Sequence, residues 1–136
     1  MERDPTTLVA MGCRWIAADP ERWGRLLDLM EWASAQRPHA RLMRGDIYNY
    51  AMQRGMDVTL CNEFRRDNSL WSTLSRYAIM CRPRLAEVIR PRDSGIDGVD
   101  LVAAWEAIVG DPSCLVLDNW REACRQASPS KAGCPA

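Results

Sequence analysis

Within the stretch from Asn62 to Asp97, apolar residues recur at the period of a helix. Leu70, Trp71, Leu74, Tyr77, Ala78 and Cys81 fall at i, i+1, i+4, i+7, i+8 and i+11. That spacing predicts an α-helix that starts near Asp67 or Asn68 and packs one face on a core. The opposite face carries Ser69, Ser72, Thr73 and Arg76, with Arg65 and Arg66 just ahead of the helix start. Short hydroxyls and an amide at a helix N-terminus, beside guanidinium groups, suit the approach of a phosphate backbone. The same residues would also cap and solvate an ordinary surface helix.

The rest of the chain reads as helices in series. Thr6 or Thr7 is the expected cap of a first helix through Leu8, Val9, Trp15 and Ile16, with Gly12 its weak point. Asp19-Pro20-Glu21 is a restart signal: an acidic cap, Pro at the first helical position and an acid in the first turn. The helix that follows aligns Trp23, Leu26, Leu27, Met30 and Ala33, while Leu29 and Trp32 lie off that stripe and predict cover on a second side. Arg41 to Arg54 reads as a shorter helix with Met43, Ile47, Tyr50 and Ala51 inward, ended by Gly55. Met56 to Leu60 alternates and suits a short strand. Pro83 either stops the central helix or opens a brief further one through Leu85 and Val88. Gly98 leads into a helix with Leu101, Val102, Trp105, Ile108 and Val109 on one side, ended by Gly110. Asp111-Pro112 repeats the restart device, and Cys114 to Leu117 fits either a helix or a short buried strand. The expectation is a mainly α chain, a compact helical bundle with room for a short β-hairpin. It forms a single domain over 1–127, with its core in 19–109, an appended helix over 111–127 and a flexible tail over 128–136.

Charge is balanced in total but uneven along the chain. Residues 1–36 have four Arg against six acids, 37–92 eleven Arg against five, and 93–136 two Arg and one Lys against seven, giving −2, +6 and −4. A basic centre between acidic ends steers anions, either nucleic acid or an acidic protein surface. Its cations are almost all Arg, which suits bidentate contacts to phosphate and carboxylate. The six cysteines, Cys13, Cys61, Cys81, Cys114, Cys124 and Cys134, show none of the paired spacing of a zinc site, and are read as reduced thiols with Cys134 the most exposed. His39, the single histidine, sits in a loop and suits a solvated side chain better than a general base. Asp93 to Gly98 looks like the opening of a calcium loop, but Gly95 and Ala104 stand where ligands are needed. No nucleotide, hydrolase or metalloprotease motif is present, so no enzyme, cofactor or metal is expected. The chain also has no signal peptide and no membrane-length apolar run, and the expected place is the cytosol.

The strings Arg66-Asp67-Asn68, Leu74-Ser75-Arg76, Pro83-x-Leu85 and Arg92-Asp93-Ser94-x-Ile96-Asp97, after the leading Asp19-Pro20-Glu21-x-Trp23, resemble a pattern in small proteins of actinobacterial phages and prophages. The resemblance covers about residues 15–100. Asp67 replaces the family's first Asn, and Ser75 its usual Ala. What it implies is a helix-turn-helix or winged-helix-like domain of a mobile element, without a defined activity. On this reading the helix Arg44–Arg54 supports, Asn68–Cys81 is the recognition helix, and Arg90–Arg92 is a wing on phosphate. The expected binding residues are Arg65, Arg66, Asn68, Ser69, Ser72, Thr73, Arg76 and Arg92. The expected partner is nucleic acid; the alternative is a host defence complex inhibited by protein contact, as an anti-CRISPR does.

Overall fold

The computed structural model describes residues 4–37, 40–90, 96 and 98–110. His39, Arg92, the 93–95 turn, the predicted 111–127 helix with Cys114 and Cys124, and the tail with Cys134 lie outside the described residues. Among the described residues six α-helices run in the order α1 (Pro5–Ala18), α2 (Pro20–Gln36), α3 (Arg44–Gln53), α4 (Asn62–Arg66), α5 (Asn68–Cys81) and α6 (Leu101–Ile108). Single 3-10 turns, Val58–Cys61 and Pro83–Glu87, precede α4 and follow α5. The chain is mainly helical, as its periodicity predicts, and no strand or hairpin occurs among the described residues.

The helix starts follow from local chemistry. The Asp19 carboxylate accepts the Arg22 N–H at 3.0 Å, with Pro20 at the first position of α2. The same device opens α1, where Asp4 accepts the N–H groups of Thr6 and Thr7 and Pro5 follows it. Asp4, not Thr6 or Thr7, is therefore the cap, because a carboxylate just outside the helix reaches two unsatisfied donors. Asp67 likewise accepts from Ser69 and Leu70 to start α5. Asp100 accepts from Val102 and Ala103 to start α6. Gly55 and Gly110 end α3 and α6 at φ of 67° and 86°, a left-handed backbone that favours glycine.

Two local expectations are overturned. Residues 58–61 form a 3-10 turn rather than a strand, because Asp57 takes the Thr59 N–H at 3.0 Å and closes the backbone on itself. Met43 is 42 % exposed rather than inward, since α3 begins only at Arg44 and Met43 is its cap residue.

The core is continuous from Leu8 to Trp105, so it starts in α1 and not at residue 19. Trp23, Trp15, Phe64 and Trp71 form a chain of rings with centroids 6.4, 6.2 and 5.3 Å apart, joining α2, α1, α4 and α5. Beyond it, Tyr77 stands edge-on to Trp105 at 5.6 Å. Tyr77 donates to the Leu101 carbonyl at 2.7 Å. Its single proton is thereby used, so the Cys13 thiol, 3.2 Å from the phenol oxygen, is the donor of that pair.

Most consequential is the placement of α5, which packs against α1, α4 and the Pro83–Glu87 turn. Ten of its fourteen residues are buried. Ser72, Thr73 and Ser75 are 0–1 % exposed, so the face read as open and polar is interior. At Thr73 the neighbour presses directly: a Cβ on Gly12 of α1 would overlap the Thr73 methyl. Gly12 is thus a contact point between two helices, not a weak point in one.

Candidate functional site

The burial of α5 splits the seven described residues of the eight expected from sequence, Arg92 lying outside the described residues. Arg65, Arg66 and Asn68 are exposed, Ser69 and Arg76 half-buried, and Ser72 and Thr73 enclosed. A helix covered in this way cannot lie in a nucleic-acid groove along its length: Asn68–Cys81, expected to be the recognition helix, is an interior element. What stays open is the N-terminal end of α5.

There the chain builds a cleft of about 450 Å³ lined by Arg41, Leu42, Met43, Arg44, Asn68, Trp71, Ser72, Ile89 and Arg90. Its walls are held by backbone. Leu42 N–H donates to the Val88 carbonyl at 2.8 Å, and Arg41 Nη2 donates to the Arg90 carbonyl at 2.7 Å. Two loops distant in sequence therefore present Arg41 and Arg90 together, and the first turn of α3 adds Arg44. No acidic side chain is among these lining residues. Three other clefts of 380–490 Å³ each contain carboxylates: Glu31 in one, Asp19 and Asp57 in another, Glu63 in the third. Only a cleft without carboxylates of its own concentrates positive potential at short range.

The basic surface continues along α3. Tyr48, one turn after Arg44, holds the Arg65 guanidinium 3.7 Å over its ring, which fixes a cation that would otherwise sweep through many rotamers. Of the residues predicted from sequence, the structure thus gathers Arg65, Asn68 and Ser72 around α3, in a setting where Ser72 is a floor residue and not an exposed donor. Arg41 and Arg44 were missed as binding residues. Their only sequence signal is membership of the +6 segment, which does not say which of eleven Arg converge.

The chain has no match among family models, curated proteins or solved structures. The reading of the site therefore rests on its residues.

Among the described residues the thiols Cys13, Cys61 and Cys81 and the Tyr77 phenol are interior. Burial pushes the Cys61 thiol up to about 11 and Cys81 up to about 12, and raises Cys13 as well. Tyr77 is raised by burial first and by the neighbouring Cys13 second. None of these is a ready nucleophile near neutral pH. Among the described residues no three His, Cys, Asp or Glu converge to hold a metal ion, and no helix is long and apolar enough to cross a membrane.

Proposed function

We propose that this chain binds nucleic acid by its phosphate backbone, in the cleft between the start of α3, the start of α5 and the segment 88–90. The observation that carries this reading is the convergence of Arg41, Arg44, Arg90 and the Asn68 amide in a cleft whose described lining has no acid. Guanidinium forks match phosphate oxygens in pairs, and a side-chain amide adds a neutral donor. Arg65, stacked on Tyr48, extends the track by one more cation. The phage-like strings around residues 66–97 fit a helix-turn-helix or winged-helix-like protein of a mobile element. In such a protein the buried α5 supports, and a more exposed helix makes the contacts.

The test is the affinity for a short mixed-sequence duplex as a function of salt. Each neutralised phosphate contributes a log–log slope of about −0.9, so three guanidiniums give roughly −2.7 or steeper. Arg44→Glu with Arg90→Glu should keep the melting temperature and flatten that slope, with most of the affinity gone. Wild-type protein with no salt-dependent binding would end the proposal. A second reading, inhibition of a host defence complex by protein contact, draws support from the exposed Met43 in the cleft and Met52 at the far end of α3. It predicts capture of that complex with negligible DNA affinity throughout.

A further inference from the structure

Among the described residues two large hydrophobic side chains are exposed, Met43 at 42 % and Met52 at 51 %. Both belong to α3 or its cap. Between them the outer ridge of α3 presents Gly45, Asn49 and Gln53, all exposed and spaced i, i+4, i+8. A ridge that serves only to solvate a helix carries Glu and Lys; this one has no charged side chain. The acid of α3, Asp46, is half-buried off the ridge, where it accepts the Met43 N–H at 2.9 Å.

Cations stand to either side. On the α5 side are Arg41, Arg44 and Arg90 in the cleft and Arg65 on Tyr48. On the α2 side Arg54 lies 5.0 Å over the Trp32 ring, which itself packs edge-on against Tyr50. The result is a neutral, amide-bearing ridge with a bank of guanidinium on one side and the single Arg54 on the other.

We infer that α3 is the element that enters the major groove of a DNA duplex, with Asn49 and Gln53 reading base edges. This rests on the phosphate-binding reading above and names its specificity-determining residues. The fit is physical. A helix about 10–12 Å across matches a major groove roughly 12 Å wide. Phosphates border that groove on both sides, where the cleft arginines face one strand and Arg54 the other. An Asn or Gln amide offers one acceptor and donors in the geometry that pairs with adenine N6 and N7, and an apolar tip such as Met52 suits a thymine methyl. Gly45 lets the first turn approach closely, and a Cβ there would meet nothing within 4 Å inside the protein. Internal packing therefore does not demand that glycine.

The experiment is selection from a randomised duplex pool with the full chain and with Asn49→Ala/Gln53→Ala, each followed by affinity for the selected and a mixed-sequence duplex across salt. Wild type should enrich a defined sequence. The double variant, with an unchanged melting temperature, should keep the salt slope and mixed-sequence affinity but lose preference by at least about tenfold, since each amide–base pair discriminates by roughly 5- to 150-fold. If the variant selects the same sequence with the same preference, or if wild type shows steep salt dependence and no preference, α3 is not the reader while phosphate binding stands. If the variant loses mixed-sequence affinity as well, the amides sit on phosphate and base reading falls. Absence of any salt-dependent binding by wild type removes the underlying reading itself.

Discussion

At Gly12 the absent side chain is what lets α1 settle onto α5, with the Thr73 methyl filling the space a Cβ would take. Thr73 is fully buried and branched at Cβ, so it has little freedom to withdraw. Gly12→Ala gains helix propensity of about 1 kcal/mol and loses more to overlap, for a net destabilisation of roughly 1–2 kcal/mol. Combining it with Thr73→Ser, which removes the clashing methyl, should return part of that loss. Melting curves of the four proteins measure the coupling, and strict additivity would show that the two residues do not press on each other. Gly45 is the opposite case, with open space around its Cβ direction. The same change there should leave the fold equally stable or more so.

At the scale of the element, α5 is a central strut. It is buried on faces that carry Leu74 and Tyr77 and equally on those that carry Ser72, Thr73 and Ser75. A helix in that position is selected for small residues where neighbours come close and large ones where they do not, and polarity is a poor guide to which is which. Thr73→Glu would put a carboxylate into a fully enclosed position against α1, at a cost of about 3–5 kcal/mol for a buried charge without a partner. The expected outcome is loss of the cooperative unfolding transition together with loss of binding. Reversal at the exposed Arg65 and Arg66 should leave folding intact. A Thr73→Glu protein that melts like wild type would mean that the face of α5 toward α1 is open after all.

For the whole molecule, the thiols make a statement about pH. Cys61 and Cys81 are held neutral by burial up to about 11 and about 12, against an ordinary value of 9.0. The unfolded chain loses those protons first, so between about pH 9 and pH 11 it binds fewer protons than the native state. Stability is therefore full below pH 9, where both states keep the thiol proton, and falls as pH rises through that window. Thermal melts from pH 7.5 upward should show a falling midpoint above pH 9. Cys61→Ala should lessen the fall, and a slope unchanged by that substitution would mean that Cys61 already titrates in the folded protein.

Helix positions were legible in the sequence because their causes are local. Asp19-Pro20 caps and starts α2, Asp67 starts α5, and Gly55 and Gly110 stop α3 and α6. The apolar stripes through Trp23 to Ala33 and Leu70 to Cys81 mark inward faces, and those residues are buried. The +6 segment was legible as well, as a sum over the chain. What only the tertiary structure decided is how many sides of each helix are covered and which charges meet. Thr73 is interior because α1 presses on α5 at Gly12, a residue sixty-one positions away. Arg41 and Arg90 share a cleft because the Leu42 N–H bonds the Val88 carbonyl and the Arg41 guanidinium bonds the Arg90 carbonyl, forty-nine residues on. Caps and periodicity act within a few residues, where sequence and structure are the same information. Burial and convergence are set by which distant segments come into contact, and no local pattern encodes that.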